Sequence, residues 1–139
     1  MTTKQRPDAE RLYLFVQHLS RNLRDIDVSL GLSAARLSAL VSLRFHRVNN
    51  IGALAKAERV SRPAMTRLVR AMERAGLVRR RPDTRDGRGV LVVLTKKGAD
   101  AVDRAKAKKI AFVAERLKRA PAKERAAFLD WLDRMNEGP

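Results

Sequence analysis

Residues 61–98 constrain what this chain can fold into more than any other stretch. Ser61 is a helix-capping residue and Pro63 suits a first helical turn, where a missing amide hydrogen costs almost nothing. Met65, Leu68, Val69 and Met72 recur at i, i+3, i+4 and i+7, which predicts an amphipathic helix that Gly76 ends. Two short apolar runs follow, Leu77-Val78 and Val90 to Leu94, separated by Asp83-Thr84-Arg85-Asp86-Gly87-Arg88. The β-branched second run and the Asp86-Gly87 dipeptide predict a hairpin, with Pro82 breaking its first strand. A helix feeding such a hairpin implies a mostly α fold with a small β-hairpin wing.

The flanks extend this layout. Ser33 suits the cap of a helix carrying Leu37, Leu40, Val41 and Phe45, and Asn50 caps a short one that buries Ile51, Leu54 and Ala55. Nearer the start, Leu12, Val16, Leu19, Leu23, Ile26 and Leu30 recur at spacings of 4, 3, 4, 3 and 4, an apolar stripe that Gly31 stops. Such a stripe serves an ordinary core helix or pairing with another helix; we expect a dimer interface. Past Thr95, a further cap, Val102, Ile110, Val113 and Leu117 mark a long helix, and Pro121 opens another carrying Phe128, Leu129, Leu132 and Met135. The expected organisation is a single domain over 1–139, a winged helix-turn-helix lobe at 33–98, and dimerisation helices at 8–30 and 99–136.

Charge narrows the partners. With 31 Lys and Arg against 15 Asp and Glu, the formal net charge is +16, which favours a polyanion. Residues 61–88 hold nine arginines against three acids, a net of +6, on the predicted helix and hairpin. A second basic district at 96–125, including Lys106, Lys108 and Lys109, reads as a solvated helix face. The aliphatic runs fall far below the ~20 residues that span a bilayer, so no membrane role and a cytoplasmic location are expected. The absence of cysteine removes disulfides, thiolate nucleophiles and cysteine zinc sites. His18 and His46 sit on separate predicted helices with no carboxylate arrangement around them, so neither catalysis, a metal nor a cofactor is expected. Few aromatic residues argue against a base-stacking single-strand binder.

With Met65, Leu68, Val69 and Met72 facing inward, Arg62, Pro63, Thr66, Arg67, Arg70 and Arg74 face outward beside Ser61. Guanidinium forks suit guanine edges and phosphates, so this face is the candidate reader of double-stranded DNA. Arg85 and Arg88, near the hairpin tip, suit a minor groove. A carboxylate among so many cations would repel phosphate if free, so Asp83 is expected to pair with an arginine and hold the hairpin's angle. The competing class is a basic architectural or RNA-associated protein with little sequence preference.

These residues resemble the multiple antibiotic resistance regulator (MarR) family of bacterial transcription factors. The resemblance rests on Gly76-Leu77-Val78, Asp83-x-Arg85-x-x-Arg88 and Leu94-Thr95-x-x-Gly98, with Leu54-Ala55, Ser61 and Thr66-Arg67-Leu68-Val69 at matching spacings. It implies a homodimer with intertwined outer helices, a pseudo-palindromic operator, and repression relieved by a small anionic or phenolic ligand. His46, near the expected junction of dimer and DNA parts, is a candidate to touch such a ligand, beside its plainer reading as a structural histidine.

Glu58-Arg59-Val60 occupies the turn before the arginine-rich helix, where that family commonly has glycine. A left-handed Arg59 would cost on the order of 1 kcal/mol. Lys96 and Lys97 would occupy the first turn of the long helix, where the macrodipole disfavours cations and a nearby phosphate would offset the cost.

Overall fold

A computed structural model of the chain describes residues 5–85, 87 and 89–136. The elements run α1 (Gln5–Ser29), α2 (Ala34–Phe45), α3 (Ile51–Ala57), α4 (Arg62–Arg74), β1 (Val78–Pro82), β2 (Val90–Leu94), α5 (Lys96–Leu117) and α6 (Ala122–Asn136). They form two compact units, residues 1–105 and 106–139.

Caps expected from sequence set the starts of α2, α3 and α4. The Ser33 hydroxyl accepts the Arg36 amide at 3.2 Å, the Asn50 side-chain oxygen accepts the Ala53 amide at 2.7 Å, and the Ser61 hydroxyl accepts the Ala64 amide at 3.2 Å. Each such cap contributes about 1 kcal/mol.

The ends of α1, α3 and α4 share one device. Gly31 (φ 73°), Arg59 (φ 55°) and Gly76 (φ 74°) are left-handed, and each closes its helix with the same pair of backbone bonds. At α1 these are Gly31 N–H to Val28 O and Leu32 N–H to Asp27 O; at α4 they are Gly76 N–H to Glu73 O and Leu77 N–H to Met72 O. At α3 they are Arg59 N–H to Lys56 O and Val60 N–H to Ala55 O. The arginine thus adopts the conformation that glycine takes at the other two ends. Its neighbour holds the turn: the Glu58 carboxylate accepts the hydroxyls of Ser38 at 2.5 Å and Ser42 at 2.7 Å, both on α2.

In the first unit, Leu40 and Ala39 from α2, Leu54 from α3, Met65, Val69 and Met72 from α4, Val78 and Val92 from the strands and Val102 and Ala105 from α5 form one core. Each fully buried valine, leucine or methionine contributes about 1.5–3 kcal/mol, so the inner face of α4 fixes that helix firmly. The strands pair antiparallel, Val78 opposite Leu94 through Pro82 opposite Val90. Pro82 therefore closes β1 rather than breaking it, because a strand end tolerates a missing N–H. The chain before α3 adds a partial third strand, with Val92 donating to Asn49 O at 2.6 Å and Asn50 bridging Leu91.

Gly98 explains the close join of α5 to the hairpin. A Cβ there would fall on the Leu77 carbonyl oxygen and lie 3.0 Å from Leu94 Cδ2. In the second unit, Phe128 and Trp131 stack at 6.1 Å between ring centroids, and the Arg116 guanidinium lies 3.4 Å from the Phe112 ring centroid. Phe128, Leu129, Trp131 and Met135 of α6 are exposed, as are Leu12, Tyr13, Leu14, Phe15 and Val16 of α1. No single helix among the described residues is long and apolar enough to cross a membrane; α1 and α2 pass by length and composition only as a pair bent by 86°.

Candidate nucleic-acid interface

The inner face of α4 decides what its outer face can offer. Met65, Val69 and Met72 have no exposed surface, so the helix cannot roll, and Ser61, Arg62, Pro63, Arg67, Arg70 and Arg74 stand exposed opposite them. Among the described residues, Arg62, Arg67 and Arg70 enter no ion pair, which leaves their forked donors available to an external anion.

Thr66 differs from the expectation of a plain outward residue. It is half-buried, and its hydroxyl donates to Arg62 O at 2.9 Å, the carbonyl one turn back. A hydroxyl committed in this way offers an incoming group only its lone pairs.

The start of α4 meets the wing at a cleft of about 300 Å³ lined by Asn50, Ile51, Gly52, Arg62, Thr66, Asp83, Gly89 and Val90. Three of the residues singled out from sequence, Arg62, Thr66 and Asp83, thus share one polar hollow. The carboxylate of Asp83, a residue expected to pair with an arginine, accepts the main-chain N–H of Arg85 at 2.9 Å. That local turn needs no long side chain to be ordered, and the Asp83 amide donates in turn to Gly89 O at 2.9 Å, closing the hairpin. Arg85 is exposed; Arg88 and Asp86 lie outside the described residues.

One arginine of the basic stretch is held within the protein. Glu73, the one acid on α4, accepts Arg80 Nε at 2.9 Å and the Arg80 amide at 3.3 Å, fastening β1 to the end of the helix. An acid three residues before the helix-ending glycine, facing a strand of three arginines, is the sequence signal for this clasp.

Lys96 and Lys97 also have partners inside the chain. Lys96 Nζ pairs with Asp100 at 2.8 Å, and Lys97 Nζ donates to Ala75 O at 2.8 Å. The hydrogen bond and charge of Asp100 raise the Lys96 pKa, while the hydrogen bond from Lys96 is the main cause lowering that of Asp100. Arg44, at the end of α2, pairs with Asp103 at 3.3 Å. His46 is exposed at the C-cap of α2 and does not line the cleft beside α4. Among the described residues, no group of three or more His, Asp or Glu side chains could hold a metal ion.

A model of the MarR family matches residues 32–90, from the start of α2 into the wing. A Mycobacterium bovis protein described as an HTH-type transcriptional regulator is 41% identical over 109 residues, 78% of this chain and 76% of that protein. The chain belongs to the MarR family. As a MarR-family protein it is a helix-turn-helix transcriptional regulator, in which α3 and α4 are the two helices and Glu58 to Val60 the turn. The fold is similar to that of YusO from Bacillus subtilis, with a TM-score of 0.85, 20% identity and full coverage of both chains. It is also similar to a variant of MepR from S. aureus bound to an oligodeoxyribonucleotide, with a TM-score of 0.78, 20% identity, and 93% of this chain and 96% of that one covered.

Proposed function

We propose that the protein is a cytoplasmic, homodimeric repressor that binds a pseudo-palindromic operator in double-stranded DNA and leaves it when a small anionic or phenolic ligand binds. One observation carries the DNA reading: Arg62, Arg67 and Arg70 form a row of exposed guanidiniums, without ion pairs among the described residues, on a helix locked by three fully buried side chains. A rigid helix of that width suits a major groove, and each bidentate guanine contact discriminates by about 1–3 kcal/mol. In this reading Ser61, Arg62, Pro63, Thr66, Arg67 and Arg70 meet the major groove and its flanking phosphates. Arg85 and Arg88 reach the adjacent minor groove, and Asp83 holds the hairpin that carries them. The similarity to MepR, solved with an oligodeoxyribonucleotide, supports the same use of the fold.

Dimerisation draws support from the apolar side chains that α1 and α6 leave exposed. Paired lobes would place two α4 helices about 34–36 Å apart, one turn of B-DNA. Release follows from mass action: a ligand that favours an incompatible spacing depletes the DNA-bound form in proportion to its differential affinity. The test is footprinting on genomic fragments, then Arg67→Ala, Arg70→Ala and Arg88→Ala on the recovered site. The first two should relax base preference at particular positions, and the third should lower affinity with preference retained. Affinities that differ little among unrelated duplexes at matched salt would instead mark an architectural binder.

A further inference from the structure

The C-terminal end of α4 is gripped from two sides. The amides of Ala75, Gly76 and Leu77 take the carbonyls of Ala71, Glu73 and Met72 in the last turn, and the start of α5 takes the three carbonyls that follow, those of Ala75, Gly76 and Leu77. Thr95 donates its hydroxyl to Gly76 O at 2.6 Å and its amide to Leu77 O at 3.1 Å. The same hydroxyl accepts the Gly98 amide at 3.0 Å, so one side chain caps α5 and ties it to the end of α4. Lys97 reaches across 22 residues to place its ammonium on Ala75 O at 2.8 Å. Its stem crosses Gly76 closely enough that a Cβ there would meet Lys97 Cδ at 3.7 Å and Nζ at 3.8 Å. From the other side, the Glu73 carboxylate holds Arg80 of the wing.

We infer that Lys97 is a positioning residue for DNA reading: its ammonium, seated on the Ala75 carbonyl, fixes the attitude of α4 against the first turn of α5. The negative end of the α4 macrodipole lies at that carbonyl, so the cation is placed where the helix field favours it. This explains a lysine in the first turn of α5, a position that its own helix disfavours. It also withdraws Lys97 from the set of charges that neutralise phosphate. The consequence differs from that of a phosphate contact. Losing a phosphate contact makes the salt dependence of binding shallower by about 0.9 in the log–log slope, whereas losing a positioning contact weakens the reading of sequence and leaves that slope alone.

This inference rests on the DNA-reading role proposed above. The probe is a 30-base-pair duplex selected from a random library by the parent protein, compared with an unrelated duplex of equal length in a fluorescence-anisotropy salt series. Lys97→Met keeps the stem over Gly76 and removes only the charge and the donor; Lys97→Arg restores both. Lys97→Met is expected to weaken binding of the selected duplex on the order of tenfold, with an unchanged salt slope and a smaller ratio of selected to unrelated affinity. Lys97→Arg should return that ratio towards the parent value. A shallower slope with equal losses on both duplexes would make Lys97 a phosphate contact and overturn the inference. So would an unchanged selected affinity, or a loss that matches only the fraction unfolded in a thermal melt. A parent protein that selects no duplex would instead remove the DNA-reading role itself.

Discussion

Arg59 offers a direct measurement of how the helix-turn-helix turn is held. Its φ of 55° lies in the region where an L side chain crowds the backbone, at a cost of about 1–2 kcal/mol that glycine does not bear. Glycine, however, gives up about 0.5–1 kcal/mol more chain entropy on folding than alanine does. The balance predicts that Arg59→Gly is more stable than Arg59→Ala by roughly 0.5–1 kcal/mol. Alanine keeps the left-handed strain, and both variants remove the same charge, so the contrast isolates the backbone. The geometry supports the comparison, because Gly31 and Gly76 close their helices with the same hydrogen-bond pair at φ values of 73° and 74°. The assay is urea unfolding followed by far-ultraviolet circular dichroism at one protein concentration, since assembly would shift the midpoint. A thermal melt should show the same order, with a separation of about 2 to 4 °C. If the two variants unfold together, or if alanine is the more stable, the strain assigned to Arg59 is absent and the Glu58 bonds to Ser38 and Ser42 do not hold the turn against any cost.

Gly98→Ala should destabilise by about 1–3 kcal/mol or more in the same unfolding assay, because the new methyl meets the Leu77 backbone carbonyl rather than a side chain that could swing aside; a loss within 0.5 kcal/mol, the ordinary range of a surface change, would contradict that contact. The folded Asp100 carboxyl titrates below its ordinary value, chiefly through the Lys96 hydrogen bond, so its contribution to stability is present above the unfolded pKa and fades as pH falls through the folded one. Carboxyl NMR should accordingly show the Asp100 midpoint rising in Lys96→Met, and an unmoved midpoint would mean the pair does not persist in solution.

Local physics made most of the fold readable. Ser33, Asn50 and Ser61 cap helices because a short side-chain oxygen can reach an amide two or three residues ahead, and Gly31 and Gly76 end them because only glycine adopts positive φ freely. The periodicity of Met65, Val69 and Met72 separates the buried face of α4 from the arginine face, since 3.6 residues per turn settles which side chains share a face. The left-handed Arg59 was a different case, since only the glycine common at that place in the resembling family raised the question and the structure answered it. Each of these relations spans a few residues, within which covalent geometry permits little else.

The partners of long side chains were beyond that reach. Nothing near Lys97 in the chain points to Ala75, nothing near Glu58 to Ser38 and Ser42, and nothing near Arg44 to Asp103; packing of the core brought each pair together. Arg80 and Arg67 look alike in a charge count, yet Glu73 binds one while the other faces solvent without an ion partner among the described residues. Sequence by itself determined where the helices and hairpin begin and end and which face of α4 is cationic, because those choices are made by neighbours along the chain. Tertiary structure alone decided which cations are spent on the protein and which, among the described residues, stay open to an outside anion, because a flexible, charged side chain takes whichever partner the folded backbone leaves within about 3 Å.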